Sequence, residues 1–103
     1  MIPAKVIGTV WGARQCDSLV GRRVVEVRPL YLSGLRPGDR VGDDADETLL
    51  GKETLLAVDT LGADAGQLVL IAIGSRVRDL GLGPDLATKN CVVAIVDELR
   101  MSE

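Results

Sequence analysis

The side chains able to do chemistry are few: fifteen carboxylates, two thiols, one glycine-rich turn, and no histidine anywhere in 103 residues. The absence of histidine removes the commonest general base and the commonest metal ligand together. Ser75 therefore has no imidazole to activate it, which excludes a Ser-His-Asp triad. Asp43, Asp44, Asp46 and Glu47 cluster as a cation site would. A calcium loop, however, alternates its acids around a turn glycine, so a solvated loop is the better reading. Gly62-Ala63-Asp64-Ala65-Gly66 follows an apolar run as a phosphate loop does, but it lacks the Lys-Ser/Thr pair and a following helix. A tight turn with two left-handed or closely packed glycines fits it better. Asp59 and Asp97 each end an apolar stretch, where they could serve as acid and base, although capping turn N–H groups is the commoner use of such positions. Cys91 opens an apolar run and reads as core. Cys16, near Arg14 in a loop, is at most a redox-sensitive thiol. The two cysteines form neither a CxxC pair nor a metal motif, and without a signal peptide they are expected to stay reduced. No catalytic residue, metal or cofactor is assigned.

The elements that must position these groups read as strands. Residues 4–11 alternate, with Ala4, Val6, Gly8 and Val10 on one face and Lys5, Ile7, Thr9 and Trp11 on the other. Ile7 and Trp11 are then apolar groups on an outer surface, and Gly8 marks a bulge or a close backbone approach. Residues 13–23 read as a loop, 24–28 as a second strand, 33–54 as a long irregular loop, and 55–59 as a third strand. After the turn at 60–66, residues 67–73 form a continuous apolar run of the kind buried on both faces. Residues 76–90 are irregular, with one helical turn over 75–80 as an option. Residues 91–96 are the fifth strand and 97–103 a charged tail. The expected fold is a single all-β domain over 1–103, a small five-stranded OB-like barrel with a long irregular loop and a short C-terminal tail; closure removes its exposed strand edges.

Composition narrows the function classes. Hydrophobic residues make up 47% of the chain but aromatics only 2%, Trp11 and Tyr31, so the core is built from Val, Leu, Ile and Ala. A net charge of −3 and two aromatics supply neither the basic groove nor the stacking platform of an oligonucleotide-binding barrel. Such a nucleic-acid- or ligand-binding module is the alternative reading, resting on architecture alone. The longest apolar runs, 68–73 and 91–96, are far short of the ~20 residues of a membrane span, so a soluble chain without membrane contact is expected. A positive mean hydropathy of +0.23 in so small a chain points to an exposed apolar patch, and hence to association.

Four stretches in order carry a family likeness. Gly8-Thr9-Val10 is followed by Leu19-Val20-Gly21-Arg22-Arg23-Val24-Val25-Glu26-Val27-Arg28-Pro29-Leu30. Residues 57–67, AVDTLGADAGQ, resemble an AVDxxGAGxGE signature; Gly74-Ser75-Arg76-Val77-Arg78 is similar to GSSAR; Ala94-Ile95-Val96-Asp97 is similar to a closing GIVD strand. Together they resemble the EutN/CcmL family of bacterial microcompartment vertex proteins over essentially the whole chain. Asp64 stands for the middle glycine of GAG, Gln67 for the glutamate, Val77 for alanine and Ala94 for glycine. The resemblance implies a non-enzymatic shell protein. Its OB-like barrels close into a homopentamer that caps the five-fold vertices of a cytoplasmic microcompartment, beside hexameric shell proteins. Five copies, each of formal charge −3, would keep the ring acidic and its docking salt-dependent. It also implies that Asp59, Thr60, Gly62 and Gly66, with Gly74, Ser75 and Arg76, lie near subunit contacts or the central axis. The same glycines would equally serve the barrel's own turns.

Overall fold

A computed structural model of the chain describes residues 1–10, 23–45, 47–73 and 90–102. Seven strands are described: β1 (Ile2–Val10), β2 (Arg23–Pro29), β3 (Arg40–Gly42), β4 (Leu55–Asp59), β5 (Leu68–Ile73), β6 (Asn90–Val96) and β7 (Glu98–Arg100). Five of them close into a barrel in the order β1-β2-β4-β6-β5, with β1 pairing back onto β5. All pairings are antiparallel except β4 with β6, which meet at only two positions, Val58 beside Cys91 and Asp59 beside Val92. This is the Greek-key closure of an OB-like barrel, and the five strands expected from the apolar runs are its five staves.

Two departures from the expected pattern have clear physical causes. The irregular loop and the charged tail are not independent: β3 from the first pairs with β7 from the second, Arg40 to Gly42 opposite Arg100 to Glu98. Each strand is three residues long and polar at its ends, too short to show a period of two. Val41, at the centre of β3, is buried with Leu30, Leu50 and Leu68 in a second cluster, onto which Leu99 and Val96 also pack. The second departure is in β1. Its pairing with β2 shifts between Val6 and Gly8, so Ile7 is the extra residue of a bulge. Paired residues share a face, so Val6 faces the core with Val27, while beyond the bulge Thr9, opposite Val25, takes the inward position and Gly8 and Val10 turn outward. The strict alternation of 4–11 therefore holds only as far as Val6.

The interior is the aliphatic cluster expected from composition, with Val6, Val25, Val27, Val69, Ile71 and Val92 almost wholly removed from water. β5 is buried on both faces from Leu68 to Ala72 apart from a half-buried Leu70, whereas β6, equally apolar in sequence, is deeply buried only at Cys91 and Val92. The difference follows from the neighbours: β5 is flanked along most of its length by β1 and β6, while β6 has β4 beside it at two residues only.

Candidate functional site

The turn between β4 and β5 is the most highly organised polar feature of the described residues. Asp59 ends β4 facing inward and is the one buried charged residue among them, 4% exposed. Its Oδ1 accepts hydrogen bonds from the backbone N–H of Leu61 at 2.9 Å and of Gly62 at 3.2 Å, and its Oδ2 accepts from Ala63 N–H at 2.8 Å. The Arg23 guanidinium, opposite Asp59 across the β2–β4 pair, lies 3.5 Å from Oδ2 and donates to Thr9 Oγ1 at 3.2 Å. The successive N–H groups of a glycine-containing turn form an anion-binding concavity. Here the anion is the chain's own carboxylate, which is why a phosphate-loop reading fails.

The second half of the turn is closed by Gln67. Its side-chain oxygen accepts the Asp64 N–H at 2.8 Å, and its own N–H donates to the Asp64 carbonyl at 3.1 Å. A glutamate would offer the same acceptor, so the Gln67 departure from the family pattern keeps the contact and removes a charge. The turn then docks on β1 beside the bulge: Gly66 N–H donates to the Val6 carbonyl at 2.7 Å, and Val6 N–H to the Gln67 carbonyl at 2.9 Å. Gly62 and Gly66 have φ of +85° and +94°, the left-handed region that glycine adopts without penalty. Ala63 between them is fully buried in the barrel core and pins the turn against the interior. Thr60 and Leu61 are left exposed at the tip.

This arrangement holds the turn in shape. Both Asp59 oxygens are engaged, and Asp97 does not join it: Asp97 is exposed and lies five residues beyond Val92, the β6 neighbour of Asp59, roughly 16 Å along an extended chain. Cys91 is buried, its sulfur 3.5 Å from the Val92 carbonyl oxygen. The acidic cluster is divided among separate partners: Asp43 accepts the Leu68 N–H at 3.4 Å, and Glu47 forms an ion pair with Arg28. No group of three metal-ligating side chains converges among the described residues. No described helix is long and apolar enough to cross a membrane.

Of the expected site residues, the structure brings Asp59, Thr60, Gly62 and Gly66 together in this turn and places Ile7 outward on the bulge, 40% exposed. Trp11, Cys16, Asp46 and the stretch Gly74, Ser75 and Arg76 lie outside the described residues, as does the optional helical turn at 75–80. Sequence reasoning missed Arg23 and Thr9, which meet Asp59 only through strand register. It also missed the seat of Tyr31. The Tyr31 ring lies over Gly51, where any side chain would meet it at 2.9 Å. Arg28 Nε donates to the Gly51 carbonyl at 2.7 Å from beneath.

The described residues form a five-stranded OB-like barrel in which the one buried carboxylate among them serves its own turn. The chain belongs to the EutN_CcmL family, described as ethanolamine utilisation protein EutN/carboxysome, whose pattern its residues 1–97 match. It is 34% identical over 96 residues to the bacterial microcompartment shell vertex protein PduN of Salmonella typhimurium (strain LT2), covering 93% of this chain and 94% of that one. Among solved structures, the GrpN pentameric microcompartment shell protein from Rhodospirillum rubrum is similar at 30% identity and a TM-score of 0.68, with 100% of this chain and 98% of that one covered. CcmL of Nostoc sp. PCC 7120 is similar at 28% identity and a TM-score of 0.70, over 93% of this chain and 88% of that one.

Proposed function

We propose that five copies of this chain close into a ring that occupies the five-fold vertices of a bacterial microcompartment shell, and that the protein acts by geometry without catalysing a reaction. The observation that carries this reading is likeness over nearly the whole length both to a shell vertex protein and to a pentameric shell protein. A ring requires a heterologous contact, one patch of a subunit meeting a different patch of the next with a rotation that closes. In the assembled shell its neighbours would be hexameric shell proteins of the same compartment. The exposed tip of the 59–66 turn, Thr60 and Leu61, is the part of that site available to a neighbouring subunit or the central axis. Asp59, Gly62 and Gly66 hold it in shape, and Gly74, Ser75 and Arg76 remain assigned to the same contacts.

Native mass spectrometry of the purified chain tests the ring directly. The expected result is a species of five subunits at micromolar concentration. Monomer alone across a series of salt and protein concentrations would refute it.

A further inference from the structure

Resting on that ring, we propose that a neighbouring copy seats on the outer wall of the barrel over Ile7, Gly8, Glu26 and Leu56. Gly8, Glu26 and Leu56 form one row across three paired strands, opposite one another in β1, β2 and β4, and so share the outward face. The bulge at Ile7 places a second large apolar side chain at the end of the row. Ile7 is 40% exposed and Leu56 48%, which leaves two large aliphatic side chains open to a partner on this wall. Between them stands Glu26, half-buried, its side chain making no hydrogen bond or ion pair among the described residues. A carboxylate flanked by apolar surface and lacking a partner is what a complementary cation from outside would satisfy.

Gly8 supplies the second argument. Its φ is not positive, and a Cβ built on it meets nothing within 4 Å. Among the described residues neither backbone conformation nor packing requires glycine there, although glycine in a strand interior costs stability relative to a residue with a side chain. What does require it is close approach by something outside the subunit, into the notch between Ile7 and Glu26. The occupant that fits is a second copy of this chain. Its excursion between β2 and β4 carries exposed cations, Arg36, Arg40 and Lys52, that form no ion pair among the described residues. They meet the charge requirement of Glu26 and come from a segment outside the three strands of the wall, so that one patch would meet a different patch, as a head-to-tail ring demands.

The test is Gly8→Val, compared with wild type by native mass spectrometry and sedimentation over a dilution series. Valine fills the notch yet suits a strand, so the variant is expected to fold with unchanged or raised thermal stability as a monomer. Its half-assembly concentration should rise at least about a hundredfold, and that of Glu26→Gln roughly tenfold with a weaker salt dependence. Hydroxyl-radical footprinting of the unmodified ring gives a second readout that needs no variant: Ile7 and Leu56 should be protected in the ring and oxidised in the monomer obtained by dilution. A Gly8→Val ring as stable as wild type, or side chains equally oxidised in ring and monomer, would overturn the wall contact. A wild-type chain that never assembles overturns the ring itself, so the two failures are told apart by the wild-type lane.

Discussion

Asp59 and Glu26 are both carboxylates on paired strands of the same barrel wall, three residues apart in register, yet the fold treats them in opposite ways. Asp59 points inward, is almost completely buried, and is matched by three backbone N–H groups and a guanidinium. Glu26 points outward, keeps part of its hydration, and its carboxylate has no partner among the described residues. Burying an unmatched charge costs several kcal/mol, so an inward carboxylate survives only if its own subunit satisfies it. An outward one can wait for a partner. One group is therefore committed to stability and the other is free for assembly, and each substitution below moves one side of that contrast.

The largest effect belongs to Asp59→Ala. It strands three backbone donors, that of the buried Ala63 among them, and leaves Arg23 without its ion-pair partner; changes of this kind cost about 3 to 5 kcal/mol. For a domain of this size that is a fall in Tm of more than about 10 °C, measured by circular dichroism at fixed protein concentration because assembly would otherwise add to it. Asp59→Asn keeps one oxygen acceptor and should lose about half as much. An Asp59→Ala variant melting within about 2 °C of wild type would mean that the inward carboxylate carries no structural burden, and the contrast with Glu26 would collapse.

The glycines repeat the contrast at smaller scale. Gly62→Ala and Gly66→Ala meet no neighbouring atom, so their cost is purely conformational, about 1 to 2 kcal/mol each for an L-residue held at positive φ. Gly8→Ala carries no such penalty and should raise subunit stability by about 0.5 kcal/mol, because its φ is ordinary and its Cβ position is open. Urea titrations of the three variants decide the matter. Equal losses at all three positions would show that Gly8 too serves the subunit's own fold.

How far the sequence reveals this depends on whether the signal is local. The five barrel strands were legible because their apolar runs or alternation are local signals, most of them bounded within a few residues by Gly or Pro. The positive-φ glycines of the turn were legible for the same reason, as was the core position of Cys91. The β3–β7 pair was not: two three-residue strands nearly sixty residues apart have no period to read, and only their shared burial against Leu30, Leu50 and Leu68 brings them together. Arg23 and Thr9 were invisible as partners of Asp59 because strand register, not spacing, sets them side by side. The bulge was anticipated at Gly8, yet its consequence was not, since one extra residue exchanges the faces of everything after it. Capping was recognised as the commoner use of Asp59. That it consumes the whole carboxylate follows only from the coordinates.

The smallest effect, and the sharpest for the contrast, is Glu26→Gln on the isolated subunit. The glutamate side chain makes no ion pair or hydrogen bond among the described residues, and a carboxamide of the same shape fits the same half-buried place. Surface changes with no partner to break usually fall within about 0.5 kcal/mol of zero, so the urea midpoint measured at a dilution where only monomer is present should not move beyond that. At concentrations where rings form, the same variant should melt below wild type, because a ligand-like partner stabilises only the form that it binds. The diagnostic is that concentration dependence: wild type gains stability with concentration more steeply than Glu26→Gln does. A loss of equal size at both concentrations would mean that Glu26 serves the barrel as Asp59 does. The division between an inward carboxylate for folding and an outward one for assembly would then be wrong.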